Sequence, residues 1–335
     1  MRGLSADGGR LNRRSILLSP LALAGCAPTL QHALTPGPQF AGPRLDQEVF
    51  VSFDGARLGL SRWSSQGEPW AVIAALHGMD DYANAFHLAG PVWAGQGIAT
   101  YAFDIRGFGR SPQRGVWPGT ELMVQDVRAF CALLRQRHPR AILALTGESM
   151  GGAVAIAALA SDAPPDADRA VLLAPAVWGW SSQPLAYSLA LRLAELVAPD
   201  KVFNPPSFVT SHITASDNIS ELIAMGRDPL MLFGARTSAL YGLVDLMQTA
   251  WRNTGRIRIP TAYLCGAKDQ IIPLKPSLQA AARLPTGDRT AFYANGYHLL
   301  LRDLQREAVF ADIAAFIRDP SAPWPSGARP MPKPR

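Results

Sequence analysis

The chain has 335 residues, 48% hydrophobic and 17% charged, with a mean hydropathy of +0.05. That size and composition suit one large globular domain or two small ones and exclude an intrinsically disordered chain. No apolar run approaches the ~18 residues of a membrane helix, and three cysteines show neither a disulfide framework nor paired metal-ligand spacing. The formal charge of +6 sits mostly at the two ends: Arg2, Arg10, Arg13 and Arg14 against Asp7, and Arg329, Lys333 and Arg335 against Asp319. The body between them is nearly neutral, so a nucleic-acid partner has no basic stripe to bind.

In chain order, the first element is an export signal over residues 1–25. Arg13 and Arg14 precede an apolar run from Ile16 to Ala24, too short to span a bilayer. It ends Leu23-Ala24-Gly25-Cys26, which resembles the lipobox of bacterial lipoproteins. That resemblance implies cleavage before Cys26, lipidation of its thiol and a periplasm-facing anchor in the cell envelope. Ala27, where an inner-membrane retention aspartate would stand, points to the outer membrane. Asn12-Arg13-Arg14-Ser15 also resembles a twin-arginine signal, which leaves the export route open. Residues 26–45, rich in Pro, Ala and Gly, read as a flexible tether.

The body, residues 46–318, alternates strands and helices. Val49–Phe53 and Arg57–Trp63 flank Asp54-Gly55 as an opening hairpin. Continuous apolar runs at 71–76, 98–103, 141–145, 170–173 and 261–265, with a polar-edged one at 290–294, read as strands buried on both faces. Helical stripes separate them, among them Met123, Val127, Phe130 and Leu134, and later Val309, Ile313 and Phe316. This alternation predicts an α/β class: a mostly parallel sheet with helices on both faces. From about 177 to 256 the rhythm breaks into helical stretches, including Leu185–Val197 and Arg236–Trp251, which predicts a cap or a packing subdomain. Trp178 and Trp180 open that insertion and suit either a lipid-facing mouth or simple packing. Six prolines in residues 319–335 forbid a helix and predict an extended, unstructured tail.

Gly147-Glu148-Ser149-Met150-Gly151-Gly152 directly follows a strand and opens a helical run. That is G-x-S-x-G in the context that lifts a serine hydroxyl above a sheet edge. A serine needs a base and the base an orienting acid, in the chain order Ser, acid, His for this turn. Downstream of Ser149 only His212 and His298 remain; His212 lies inside the insertion, whereas His298 follows a late strand on a loop. Asp269 follows the strand 261–265 across Gly266 and is the acid, while Glu221 and Asp288 follow no buried strand. The donors for a tetrahedral oxyanion are the backbone N–H groups of Met79 and Met150. His77 reads as a loop brace, Asp104–Ser111 as supporting architecture, and Cys131 and Cys265 as core residues.

HGMDDY, DIRGFGRS, GESMGG, GAKDQIIP and NGYHLLLRD together resemble the alpha/beta-hydrolase fold over residues 48–318. More narrowly they are similar to the serine-aminopeptidase-like hydrolases that include monoacylglycerol lipases and lysophospholipases. The resemblance implies a triad of Ser149, Asp269 and His298, an oxyanion hole at Met79 and Met150, and a cap containing Arg227-Asp228-Pro229-Leu230. The expected activity is ester hydrolysis through an acyl-enzyme, needing no metal or other cofactor, on a small amphiphilic ester or lipid. Short-chain ester or amide hydrolysis, acyl transfer and a catalytically silent scaffold stay open as alternatives. Two departures bear on substrate preference: Glu148 stands where family lipases carry His, and Asp80-Asp81-Tyr82 replaces Gly-Glu-His.

Overall fold

A computed structural model describes residues 28–204, 213–285 and 289–334. Residues 1–25, where a signal is expected, and Cys26, His212 and Asp288 lie outside the described residues.

Among the described residues nine strands form one sheet in the order β1-β2-β3-β5-β4-β6-β7-β10-β11. They are β1 (Arg44–Leu45), β2 (Val49–Val51), β3 (Arg57–Trp63), β4 (Ala71–Leu76), β5 (Ile98–Phe103), β6 (Ile142–Glu148), β7 (Arg169–Leu173), β10 (Thr261–Gly266) and β11 (Arg289–Tyr293). β1, β2 and β3 pair antiparallel, and β3 joins β5 antiparallel; from β5 to β11 every pairing is parallel. The fold is the mostly parallel α/β sheet that the strand runs predict. β4 and β5 are buried along their whole length. Side chains alternate between two cores, as strand geometry requires. Val72, Ala74 and Leu76 join the layer with Phe130 and Val154, whereas Ala71, Ile73 and Ala75 join Trp93 and Phe310.

The first layer is built by α2 (Thr120–Arg137) and α3 (Met150–Leu159), and the second by α1 (Ala89–Gly95) and α8 (Arg306–Arg318). Between β7 and β10 lie α4 (Leu185–Val197), α5 (Ile219–Arg227), α6 (Thr237–Asn253) and a two-stranded ribbon of β8 (Val202–Phe203) and β9 (Ala235–Arg236). α6 packs on α3, and its Val244, Leu246, Met247 and Ala250 are buried. α7 (Leu274–Ala281) follows β10.

Both chain ends depart from expectation. Thr29 Oγ1 donates to Asp200 at 2.7 Å, and Gln31 is buried with its side chain donating to the Val116 carbonyl at 2.7 Å. The segment expected to be a flexible tether is thus held along the domain from Thr29 onward. The Pro-rich tail is extended but not free. Arg329 bridges Phe292 antiparallel, Met331 N–H donates to Thr290 Oγ1 at 3.0 Å, and Trp324, 8% exposed, donates to the Thr290 carbonyl. β11 is the edge of the sheet, and this strip covers its unpaired backbone. Prolines suit that task because an extended chain along an edge needs few donors of its own.

Candidate active site

Parallel strands place all their C-terminal ends on one edge of the sheet, so the loops after β4, β6, β10 and β11 converge there. Each carries one part of the site read from the sequence.

Ser149 sits between β6 and α3 with φ 53° and ψ −117°, a left-handed conformation unusual outside glycine. Its backbone is fixed from both sides: its N–H donates to the Leu173 carbonyl at 2.9 Å, and its carbonyl accepts from Ala153 and Ala176. The turn is tight enough that a methyl on Gly147 would meet the Gly151 carbonyl oxygen at 2.3 Å. One on Gly151 would meet the Leu76 carbonyl oxygen at 2.2 Å. Only hydrogen fits at either position, so the sequence requirement of the turn is steric.

The loop after β4 lies directly over the serine: a methyl on Gly78 would stand 3.3 Å from Ser149 Cβ. Met79 follows there and shares a cavity wall with Ser149, and Met150 opens α3. The loop is braced by His77, whose Nε2 accepts the Ile105 N–H at 2.8 Å while Nδ1 donates to the Gly78 carbonyl at 2.7 Å. Burial holds the His77 pKa below the usual histidine value, which keeps this neutral tautomer in place. Asp104 braces the same region by accepting from the Ala83 N–H at 2.9 Å and from Arg110. Arg106 clamps Asp54 and Asp126 in the buried layer below.

His298 and Asp269 meet on the loops after β11 and β10. Nδ1 donates to Asp269 Oδ2 at 2.9 Å, with both side chains at most 5% exposed. Burial alone would lower the His298 pKa, but the carboxylates of Asp269 and Glu148 outweigh it and raise it above the ordinary value. The rival acid Glu221 lies elsewhere, 3.6 Å from His87.

Above Ser149 opens a cavity of about 820 Å³, within the range of small-molecule sites. α4 and α6 supply Leu191, Leu240, Val244 and Met247, Trp178 comes from the start of the insertion, and Ile271 and Ile272 close the side nearest Asp269. Trp178 therefore faces the site, whereas Trp180 packs at a tilt against Tyr241 and donates to Asp245 on the outer surface. Among the described residues, no group of three or more His, Cys, Asp or Glu side chains converges as a metal site. Cys131 and Cys265 are free and buried, with burial pushing the Cys131 thiol up to about 12.

Three features escaped the sequence reading. Glu148 is fully buried and pairs at 2.6 Å with Arg302, which also pairs at 2.7 Å with Asp81. Asp303 accepts from the Tyr297 N–H at 2.8 Å and from Ser216, bracing the histidine loop. Asp80 has φ 64° and a buried Oδ1 without a partner; burial and then Asp81 raise its pKa to about 6. A charged residue ending a buried strand, as Glu148 does, signals an opposite charge elsewhere, and Arg302 directly follows the apolar run Leu299-Leu300-Leu301.

A strained serine on a strand–helix elbow, a carboxylate-held histidine and a helical cap over parallel strand ends define a serine hydrolase of the α/β-hydrolase fold. The model of the serine aminopeptidase S33 family matches residues 67–305, and the chain belongs to that family. It is 24% identical over 275 residues to a monoacylglycerol lipase of Mycolicibacterium smegmatis, covering 81% of this chain and 96% of that one. It is 25% identical to the human monoglyceride lipase, covering 84% and 93% respectively. The crystal structure of a Paleococcus ferrophilus monoacylglycerol lipase superposes with a TM-score of 0.64 at 21% identity, covering 78% of this chain and 98% of that one. By fold, family and relatives the chain is a serine ester hydrolase.

Proposed function

We propose that this enzyme cleaves the ester of a monoacylglycerol or lysophospholipid through an acyl-enzyme on Ser149. The observation that carries the reading is the cavity of about 820 Å³, apolar on nearly every side, with Ser149 in its wall. An alkyl chain fills such a space favourably, at about 0.8 kcal/mol per buried methylene.

In this reading Ser149 Oγ attacks the acyl carbon and passes its proton to Nε2 of His298, since Nδ1 is committed to Asp269. Asp269 stabilises the resulting imidazolium, and the N–H groups of Met79 and Met150 receive the oxyanion. The imidazolium then protonates the departing alcohol, and water repeats the sequence to release the fatty acid. Backbone hydrogen bonds on both sides of Ser149 hold the elbow in its left-handed turn, which supports this reading.

We further infer that the mature chain is lipid-anchored through Cys26 and faces the periplasm, held to an envelope membrane and most simply the outer one. The lipobox supports this, and so does the placement of Thr29, three residues on, against Asp200 beside the cap. Leu185, Leu189, Leu193 and Leu196 of α4 are exposed on that same cap and suit a lipid surface. Among the described residues no helix is long and apolar enough to cross a membrane. Cys26→Ser should release the protein into a soluble fraction; unchanged fractionation overturns the anchor.

The substrate reading is tested by kcat/KM on p-nitrophenyl esters from two to sixteen carbons, with monoacylglycerol and lysophosphatidylcholine beside them. Activity should climb by several decades from acetate to a medium chain. An optimum at two to four carbons would overturn the lipid substrate.

A further inference from the structure

Arg302 lies four residues beyond His298, is 2% exposed, and joins two carboxylates from two different loops. Nη1 forms an ion pair with Asp81 Oδ2 at 2.7 Å, and Asp81 is two residues past Met79. Nη2 donates to Glu148 Oε2 at 2.6 Å, and Glu148 immediately precedes Ser149. Asp81 uses its other oxygen to accept the Tyr82 N–H at 2.8 Å, which fixes the loop backbone it belongs to. One guanidinium therefore ties the oxyanion loop, the nucleophile elbow and the histidine loop together.

A network built for stability would pair every buried atom, and this one does not. Glu148 Oε1 and Arg302 Nε are buried without a partner. Buried ion triads are often no more stabilising than an apolar replacement, so stability is a poor reason to keep one here. Geometry is a better reason. Two backbone N–H groups on separate loops must point at one oxyanion, and loops can slide relative to each other unless something rigid spans them. Arginine suits that role because its planar fork fixes two carboxylates at once, which a lysine ammonium cannot do with the same geometry.

Resting on the proposed ester hydrolysis, we propose that Arg302 is a positioning residue that holds the Met79 N–H in register with the Met150 N–H. It touches neither the reacting atoms nor the substrate; it acts through Asp81 and Glu148.

The test uses the full chain in three forms: Arg302→Lys, Arg302→Met, and the triple Asp81→Asn/Glu148→Gln/Arg302→Met. The triple leaves none of the three network charges buried without its partner, so it avoids the penalty that Arg302→Met carries alone. In the triple, kcat should fall about 100-fold with KM within about twofold, the scale of loss that follows small misplacements near a reacting centre. Affinity for an alkyl trifluoromethyl ketone, whose adduct places an oxyanion in the hole, should fall in parallel. Arg302→Lys should recover part of kcat. A triple with wild-type kcat, or a loss confined to KM or to melting temperature, overturns the positioning role while wild-type turnover leaves the ester hydrolase standing. A wild type with no esterase activity would instead remove the functional reading on which the role rests.

Discussion

Asp269 divides its two oxygens between the histidine and the scaffold: Oδ2 takes the His298 Nδ1–H at 2.9 Å, and Oδ1 takes the N–H groups of Ile271 and Ile272 at 2.8 and 3.0 Å. The carboxylate cannot rotate away without breaking both turns. In the proposed mechanism His298 accepts the serine proton only when neutral, and its pKa is raised, so kcat/KM should rise with pH through an apparent value above the ordinary 6.5 and then level. The linked stability has the opposite sense: the charged pair stabilises the fold fully below the unfolded histidine value and loses that stabilisation as pH climbs through the folded one. Asp269→Asn should cost on the order of 10⁴ in kcat by favouring the wrong tautomer. A profile flat across the histidine range, with chemistry limiting, would contradict the assignment.

Ser149 pays in backbone strain for its position, and the strain can be measured. Ser149→Ala should lower kcat by about four to six decades. Ser149→Gly should be equally inactive but more stable than the alanine variant by about 1 kcal/mol, since glycine accepts φ 53° without strain. Denaturant unfolding of the two inactive variants compares them directly; equal stabilities would show an unstrained turn.

Gly151 has no room for a methyl, because the group it would meet is the Leu76 backbone at 2.2 Å rather than a movable side chain. Gly151→Ala should therefore force β4 and α3 apart, abolishing activity and lowering the unfolding free energy by several kcal/mol, in the manner of overpacked cores. Wild-type activity in a folded variant would contradict the elbow geometry.

Asp80 titrates at about 6 in the fold instead of 3.8. The folded state holds that proton more tightly than the unfolded chain, so stability falls as pH rises between those values and the cost persists above them. Asp80→Asn removes the charge, and asparagine tolerates the left-handed backbone. The variant should be more stable than wild type by on the order of 3 kcal/mol at pH 8, the gain shrinking towards pH 4. Unfolding curves at several pH values check this; a gain independent of pH would assign it to something other than ionisation.

The elements that carry Ser149, Asp269, His298 and Met79 were legible because each is a local event, a buried strand followed by a turn, and parallel strands bring all such turns to one edge. The expected hairpin over 49–63 and the helix over 185–197 appear as β2–β3 and α4 for the same local reason. What was not legible is long-range. Arg302 meets Glu148 across 154 positions and Thr29 meets Asp200 across 171. The prolines of the tail exclude a helix but say nothing of Trp324 and Met331 finding the edge at Thr290. The cavity lining likewise mixes α4, α6 and the Ile271–Ile272 loop, a juxtaposition no periodicity announces.

The central claim is that Ser149 forms a covalent intermediate with a group delivered through an apolar cavity. Its most direct test is peptide mapping by mass spectrometry after reaction with alkyl fluorophosphonates of increasing chain length. One phosphonyl group per chain should appear on the peptide containing Ser149, with the rate of labelling rising as the alkyl chain lengthens and labelling absent in Ser149→Ala. No adduct on the intact protein, or an adduct on another residue, would contradict the account.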